Sequence, residues 1–381
     1  MFRSIFTRGA AVLGLVACGV AAGTAASAQE ATLPKSMLWS TYDVGSSGYV
    51  EAAAIADAFG KEFGTRVRIM PSGTSIGRLL PLRTGRVQYG WLANEVFFAT
   101  EAVHDFATQE WGPQDLRIVA GRPSTFGMAV AADSGITSIQ DLRGKRVPQI
   151  KANPSINIKI EAMLAFGGLT WDDVQVVEMP SYGAMLTALV DGVVDAVGST
   201  PTAATLYEIE SSSHGIAWLP LAADDAEGWA NITKVASFFG PTDATAGAGL
   251  SEEASSPMIS VRYPMITVYA NADEDEVYNF VKALDETYDI YASATAATPA
   301  WDIKGAGVPP ADAPFHPGAV RYLTEIGVWT EEADAWNAKR VERLEQVKEA
   351  WNAAFDAAAE QGLSDKDWPA HWEKYRSEML N

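Results

Sequence analysis

Short apolar runs and longer amphipathic segments take turns along this chain. The short runs predict strands near residues 37–41, 66–70, 88–92, 116–120, 126–131, 174–178, 195–198, 216–219 and 265–270. The segments between them have helical spacing and predict helices near residues 49–63, 76–84, 95–103, 157–166, 181–190 and 273–292. Strands that alternate with helices favour sheets covered by helices. The pattern therefore predicts an α/β fold of mixed sheets flanked by helices.

Residues 126–150 form one predicted supersecondary unit. An apolar strand is followed by a turn at residues 133–135 and by a one-turn helix at residues 138–142. Gly144 ends that helix, and the next strand follows at once. This order is typical of the entry into the second lobe of a two-lobed α/β protein. We therefore expect a first crossover between lobes at residues 121–124 and a return crossover near Pro257.

Polar loops follow several of the predicted strands, at residues 45–48, 72–75, 94–95 and 199–202. Because loops at the carboxyl ends of parallel strands line the crevice of an open α/β sheet, we expect them to surround one cleft. The candidate ligand contacts in or beside these loops carry hydroxyl, amide or phenol groups: Tyr49, Ser72, Thr74, Asn94, Ser199 and Thr200. Helix capping or an ordinary loop explains each of them when it is taken alone. Their convergence on one cleft favours ligand binding.

The preferred charged residue for ligand binding is Arg122. It lies at the predicted first crossover, where a guanidinium can form a two-pronged bond with a carboxylate. A surface or interlobe ion pair is the competing interpretation. Arg262, near the return crossover, and Lys151 are the reserve candidates.

Residues 329–381 predict one long amphipathic helix of about eight turns. Its apolar positions recur mainly at spacings of three and four: Trp336, Val341, Leu344, Val347, Trp351, Phe355 and Ala358. An apolar stripe of this size is buried against another surface in a stable protein. We expect it to pack on the first lobe of its own chain, with Trp351 and Phe355 buried. The alternative is a short coiled-coil seam between two chains. We otherwise expect a monomer.

The N-terminus predicts export. Arg3 and Arg8 precede an apolar segment, and the small residues 26–28 form an Ala-x-Ala cleavage site, so residues 1–28 are predicted to be a secretory signal peptide. A lipoprotein signal that leaves a lipidated Cys18 is the alternative. The mature chain is expected to be soluble and periplasmic, because no later segment has about 20 unbroken apolar residues.

Composition excludes several classes of function. The formal net charge of −20 repels nucleic acid and anionic lipid. Cys18 is the only cysteine, so the predicted mature chain has no disulfide, thiolate nucleophile or cysteine metal site. The four histidines lack metal-pair spacing, and no phosphate-binding or dinucleotide motif is present. We therefore expect no metal, no cofactor and no nucleic-acid partner.

Several segments in a fixed order carry a family resemblance. They read VGSSGYVEAAAIADAF, RVRIMPSGTSIGRLLPLRTGRVQYGWLANEVF, ADSGITSIQDLRGKRV, SYGAMLTALVDGVVDAV and VPPADAPFHPGAVRYLTEIG, and they span about residues 36–328. With them the chain resembles the TAXI branch of solute-binding proteins of TRAP transporters. The resemblance implies a two-lobed type II periplasmic-binding-protein-like fold. Its implied domains are residues 29–123 and 257–328 for lobe one, 124–256 for lobe two, and 329–381 for a C-terminal helical extension.

The chain departs from this family at one loop. The second lobe of the family usually has a glycine-rich turn, G-x-x-G-S-G-T, that presents backbone N–H groups and a helix N-terminus to an anion. The equivalent residues 150–156 here contain no glycine. Asn153 or Ser155 can still cap the helix, with Pro154 in its first turn, so both remain candidate ligand contacts. Residues 93–95 also replace a common Gln-Ser-Asp pattern with Ala-Asn-Glu.

The resemblance implies a binding protein rather than an enzyme. It would capture a small carboxylate, such as a dicarboxylate, an oxo acid or an amino acid, and deliver it to TRAP permease subunits in the membrane. An ABC-type or sensory periplasmic binding protein is one alternative. A secreted enzyme on the same fold is the other.

Overall fold

The structure is a computed structural model that describes Met1 and residues 30–380. The predicted signal peptide, its cleavage site and Cys18 lie outside the described residues. From Ala31 onward the chain forms one compact unit.

The strands of the described residues agree with the predicted pattern in most places. They are β1 (Ser36–Thr41), β2 (Arg66–Pro71), β3 (Tyr89–Leu92), β4 (Leu116–Ala131), β5 (Arg146–Ile150), β6 (Gln175–Met179), β7 (Ala196–Ser199), β8 (Ile216–Leu219), β9 (Gly240–Ala244) and β10 (Ser256–Tyr269). β1 pairs in parallel with β2 and β3, whereas β10 is antiparallel to β3 and β4. The sheet is therefore mixed, as predicted.

The helices cover these sheets and connect the strands. They are α1 (Ser47–Phe63), α2 (Ser75–Arg83), α3 (Glu95–Thr100), α4 (Pro154–Phe166), α5 (Tyr182–Val190), α6 (Leu206–Glu210), α7 (Ala226–Val235), α8 (Glu274–Glu286), α9 (Tyr288–Tyr291), α10 (Ile303–Ala306), α11 (Pro317–Glu325), α12 (Glu331–Gln361) and α13 (Trp368–Met379). Their starts follow capping rules: the side chains of Ser46, Thr74 and Ser181 accept hydrogen bonds from the first turns of α1, α2 and α5.

The strand order gives the two lobes. In lobe one the order is β2-β1-β3-β10-β4. The far end of β4 pairs with β7 and β8 in lobe two, where β5 and β6 form a separate parallel pair. The chain thus has the two-lobed α/β fold of periplasmic binding proteins that the sequence predicted. The exact lobe boundaries stay a prediction.

The connection between the lobes differs from the prediction. The sequence predicted two strands with a break at residues 121–124, but β4 is continuous through this segment. β10 starts at Ser256 rather than Met265 and runs antiparallel to β4 across the same junction. The register between β4 and β10 shifts beside Pro123. At such an irregularity the missing N–H of a proline breaks no ladder hydrogen bond, so Pro123 is tolerated inside the strand. Residues 222–257, where the sequence pattern predicted no strand, also contain β9.

Aromatic side chains form the centre of lobe one. Trp39 contacts Phe59, Trp91 and Phe280 with ring centroids 5.6–5.8 Å apart, and all four side chains are fully buried. Trp91, one residue before the end of β3, therefore lies in the core of lobe one rather than in the wall of the cleft. This close packing keeps the strands rigid beneath the loops that line the cleft between the lobes.

The C-terminal extension lies against residues 101–115. Glu101 accepts hydrogen bonds from the guanidinium of Arg343, with the closest pair 2.8 Å apart, and Trp372 Nε1 donates to the carbonyl of Ala102 at 2.7 Å. The sequence predicted one helix, but Gly362 adopts a left-handed conformation that ends α12, and α13 turns back to pack on it. Trp351 is buried as expected. Phe355 is 45% exposed, so its predicted burial was wrong, because α13 covers only one side of the stripe.

Within residues 30–380, no helix is both long enough and apolar enough to cross a membrane.

Candidate ligand-binding site

A cavity lies between the loops of the two lobes. Its empty space is about 320 Å³. Side chains from both lobes and from the crossover strands line it: Tyr42, Arg78, Ala93, Phe126, Asn153, Ser155, Ile156, Lys159, Tyr182, Thr200 and Tyr263. The cavity thus lies where the sequence predicted a cleft, at the ends of β1, β3 and the lobe-two strands.

Hydrogen bonds across the cleft hold the lobes together around this cavity. Ser75 Oγ donates to Asn153 Oδ1 at 2.8 Å, and Asn153 Nδ2 donates to the carbonyl of Gly73 at 3.2 Å. On another side, the backbone N–H of Gly183 donates to Asp43 Oδ2 at 3.0 Å. The lobes are therefore in a closed arrangement that encloses the cavity.

Lys159 is the most unusual group in the cavity wall. Its side chain is 1% exposed, and its Nζ donates to Ser155 Oγ at 2.8 Å and to the Ser155 carbonyl at 3.1 Å. Among residues 30–380, no carboxylate lies within 4.0 Å of it. Burial lowers the pKa of Lys159 to about 8, so the ammonium is still mostly charged at neutral pH. A buried charge of this kind needs an anionic partner.

Arg78 supplies a second cation, already paired. Its Nε and Nη2 both donate to Glu95 Oε1, at 3.0 and 2.7 Å, and its guanidinium stacks on the Tyr42 ring at 4.1 Å. Burial opposes the charge of Arg78, but the Glu95 carboxylate outweighs it and raises the pKa. Lys159 therefore leaves the cavity with one cation in excess.

Three tyrosines bring phenol groups to the same space. Tyr42 Oη is buried without a hydrogen-bond partner. Tyr182 Oη lies 2.6 Å from Ser199 Oγ, and Tyr263 Oη accepts from the backbone N–H of Gly48 at 3.3 Å. Burial raises the pKa of all three phenols, so each stays protonated and can donate a hydrogen bond to an anion.

The N-terminus of α4 reaches the cavity wall despite the missing glycines. Asn153 caps the helix by accepting from the Ile156 N–H at 3.4 Å, and Pro154 occupies the first turn. Ala152 has a φ of 58°, in the left-handed region that favours glycine. The turn is therefore formed by an alanine under backbone strain.

The structure brings four of the nine candidate residues to this site. Asn153, Ser155 and Thr200 line the cavity, and Ser199 contacts it through Tyr182. Thr74 caps α2 with its hydroxyl, and Ser72 accepts a weak bond within the same loop at 3.5 Å. These two residues and the half-buried Tyr49 do not line the cavity.

The structure places Arg122 elsewhere. It forms a buried two-pronged ion pair with Glu51, with Nε to Oε2 at 2.5 Å and Nη2 to Oε1 at 2.7 Å, and Trp301 Nε1 also donates to Glu51. The structure thus fits an ion pair rather than a ligand contact, although this pair is buried within lobe one and is neither the surface nor the interlobe pair that the sequence suggested. Asn94 donates to Asp312 at 2.7 Å, outside the lining, and Lys151 is exposed.

The sequence analysis missed the charged and aromatic residues of the cavity. Lys159 could have been noticed in the sequence, because it is the single cation of the mostly apolar α4 and stands between Ile158 and Ile160. No local sequence pattern marks Tyr42 or Arg78 as cavity residues, because their positions at the cavity depend on how α2 packs against β1. In the part of the chain that is described, no cluster of three or more His, Cys, Asp or Glu residues is arranged to hold a metal ion.

Solved structures of binding proteins have a similar chain path. The periplasmic aliphatic sulphonate binding protein SsuA from Escherichia coli matches 81% of this chain and 86% of its own at 17% identity, with a TM-score of 0.44. The alkanesulfonate-binding protein SsuA from Xanthomonas axonopodis pv. citri, bound to MOPS, matches 78% and 92% at 17% identity, with a TM-score of 0.41. An amino acid ABC transporter substrate-binding protein from Streptococcus pneumoniae, bound to L-arginine, matches 70% and 94% at 13% identity, with a TM-score of 0.41.

The sequence gives the family. The model of the NMT1-like family matches residues 41–327, which include both lobes and leave out the C-terminal extension. This match covers well over half of the chain. The chain therefore belongs to the NMT1-like family.

Proposed function

We propose that this protein is an extracytoplasmic solute-binding protein that captures a small carboxylate between its two lobes. The observation that carries this proposal is Lys159, a buried cation without a carboxylate partner in a closed interlobe cavity. An ion of opposite charge beside Lys159 offsets the cost of its burial. Two lobes that close around such an ion explain why the cavity is sealed by hydrogen bonds between them.

The surrounding groups favour a carboxylate. A carboxylate accepts several hydrogen bonds at once, and the Lys159 ammonium and the Tyr42 phenol are donors that line the same cavity. Phe126, with Lys159 Nζ 5.2 Å from its ring centroid, and Ile156 give the cavity an apolar side. Of the roughly 320 Å³ between the lining residues, counted out to solvent, only about 10 Å³ admits a water-sized sphere, so in this closed arrangement a ligand needs the lobes to move apart.

Delivery to a membrane transporter is the second half of the proposal. The resemblance of residues 36–328 to TAXI proteins supports a TRAP permease as the receiver, with residues 1–28 removed during export to the periplasm. An ABC-type permease or a sensory kinase is the alternative receiver. Reconstitution of uptake with the permease encoded beside this chain separates them: uptake driven by an ion gradient supports TRAP, and a requirement for ATP overturns it.

The test of ligand binding is a thermal-shift screen of mono- and dicarboxylates and amino acids, followed by calorimetry. Lys159→Met should weaken carboxylate binding by an amount equivalent to about 2–5 kcal/mol, because a buried charge pair is lost. Lys151→Met is the matched control, because Lys151 is an exposed lysine before the same helix. A protein that responds only to sugars or cations, or a Lys159→Met variant with unchanged affinity, contradicts the proposal.

A hydrolase is a second candidate, because Ser155 Oγ and Lys159 Nζ are 2.8 Å apart at positions i and i+4 of α4. Serine–lysine pairs act as nucleophile and base when the lysine is neutral. With a pKa of about 8, Lys159 is mostly protonated at pH 7, which favours anion binding over base catalysis. Turnover of acetate or succinate esters that is abolished by Ser155→Ala and rises with pH through 8 supports the hydrolase. A bound carboxylate recovered unchanged, with no ester turnover, excludes it.

A further inference from the structure

A second cavity lies beside the crossover strands. It has about 720 Å³ of space, counted out to its solvent-filled mouth. It is lined by Asn94, Pro123, Ser124, Phe238, Phe239, Thr242, Ser260, Val261, Arg262, Pro310, Ala311 and Asp312. None of these residues lines the cavity of Lys159, so the two spaces are separate.

Arg262 is the cation of this crossover cavity. Its Nη1 donates to the carbonyls of Gly121 and Gly305, at 2.5 and 2.7 Å. No carboxylate of the described residues comes within 4.0 Å of it. Burial lowers the pKa of Arg262 to about 10, so the guanidinium is charged at neutral pH. Two carbonyls hold the side chain in place, and the Asp312 carboxylate acts on its charge only from beyond 4.0 Å.

Asp312 is the anion of the same cavity. It is 7% exposed, and its Oδ2 accepts from Asn94 Nδ2 at 2.7 Å. This bond fixes the orientation of the amide, whose Oδ1 is buried with no partner. No lysine, arginine or histidine of the described residues lies within 4.0 Å of the Asp312 carboxylate. Lys159 and Arg340 act on the Asp312 charge from beyond contact distance. Among the described residues, the wall therefore holds a carboxylate with no cation in direct contact and an amide oxygen with no donor.

These opposite charges line one cavity without pairing with each other. Phe238, Phe239 and Val261 add apolar surface between and around them. A ligand that fits must carry a cation for Asp312, an anion for Arg262 and an apolar body for the aromatic wall. We propose that the crossover cavity is a second binding site, for a small zwitterion of the α-amino acid type with an apolar side chain.

The second site is built from residues other than those that line the carboxylate site, but the two sites are linked through the arrangement of the lobes. The crossover cavity joins lobe-one groups, Asn94 and Asp312, to Phe238 and Phe239 of lobe two. The ring of Phe238 contacts that of Phe97 of lobe one, with centroids 4.6 Å apart and planes tilted by 42°. A ligand in this cavity contacts both lobes and therefore favours the lobe arrangement that holds it. Occupancy of the crossover cavity is thus coupled to closure around Lys159, by the reciprocity of linked binding.

The experiment uses L-leucine and two analogues that each lack one charge. 4-Methylpentanoate keeps the carboxylate and side chain, and L-leucinamide keeps the ammonium and side chain. Titration calorimetry on the full-length mature protein should give at least tenfold tighter binding for L-leucine than for either analogue. Absence of L-leucine binding at millimolar concentration, or equal binding of the analogues, overturns the assignment.

Variants then locate the site. Arg262→Met should weaken L-leucine binding at least tenfold, and Thr242→Trp, which fills the mouth of the crossover cavity from a half-buried position, should do the same. Arg143→Met, which removes a 62% exposed arginine, is the matched control and should bind L-leucine normally. If Arg262→Met does not fold, Thr242→Trp decides alone.

Lys159→Met separates this proposal from the carboxylate site. If L-leucine occupies the crossover cavity, Lys159→Met keeps L-leucine binding and loses only carboxylate binding. If Lys159→Met abolishes L-leucine binding while Arg262→Met and Thr242→Trp retain it, L-leucine binds at the carboxylate site and the second site is refuted. A Lys159→Met variant with intact carboxylate binding would contradict the proposed function without affecting this one.

Discussion

Replacing Lys159 by methionine should stabilise the ligand-free protein and abolish carboxylate binding. Burial lowers the pKa of Lys159 from 10.5 to about 8. At 1.36 kcal/mol for each factor of ten in proton affinity, the charged lysine costs the folded state roughly 3 kcal/mol. Methionine has a similar length and no charge, and the lost bonds to Ser155 offset about 1 kcal/mol of the gain. The expected net gain is therefore about 2 kcal/mol at pH 7.

The pH dependence of the free energy of unfolding is a second test of the cost of burying Lys159. The folded-state pKa of Lys159 is lower than its unfolded value, so the unfolded chain binds more protons between pH 8 and 10.5. The cost of burial is fully present below pH 8 and disappears as the pH rises through 10.5. The stability difference between Lys159→Met and the wild type should therefore shrink steadily over this window.

Ligand reverses the order of stability. A carboxylate at about 100 times its dissociation constant for the wild type stabilises the wild type by roughly 2.7 kcal/mol and Lys159→Met by less than about 1 kcal/mol. Urea denaturation of both proteins, with and without ligand at pH 7, 9 and 10.5, measures all three effects. Lys151→Met, at an exposed position, should stay within about 0.5 kcal/mol of the wild type. A ligand-free Lys159→Met that is less stable than the wild type at pH 7 would refute the assignment of an uncompensated buried charge.

Three further changes test the rest of the structure. Arg122→Ala should lower the free energy of unfolding by about 3–5 kcal/mol in urea, because Glu51 is left buried and unpaired; a loss of ligand affinity without a loss of stability would restore Arg122 as a ligand contact. Gly73→Ala should weaken ligand binding at least tenfold in calorimetry, because its β-carbon overlaps side chains at the closed interface, whereas Gly60→Ala has room and should bind normally; equal affinities would show that binding does not need this closed state. Truncation after Gly327 should cause aggregation or a large loss of thermal stability, because α12 and α13 cover lobe one; a truncated protein that stays folded and changes from dimer to monomer in light scattering would show a seam between chains instead.

Hydrophobic periodicity was enough to predict most strands and helices of both lobes. Strand and helix signals are local, since they depend on side-chain spacing along a few turns or pleats. The same reasoning failed at β4, where a polar segment with Arg122 and Pro123 looked like a loop. Pairing with β10 keeps this segment extended, and that partner lies more than 130 residues away. It failed again at Phe355, because the exposure of this side chain depends on how far along α12 the packing of α13 extends.

By itself, the sequence determined the α/β class, the order of the elements and the loops that meet at the cleft, because these follow from local patterns and from the common edge of parallel strands. The two-lobed fold followed from the family resemblance of residues 36–328. Only the tertiary structure decided which charges are free. Arg122 and Lys159 are both cations in the sequence, but Glu51 pairs with the first, and among residues 30–380 no carboxylate lies within 4.0 Å of the second. Pairing and burial are set by contacts between distant segments, and they determine which cation is left for a ligand.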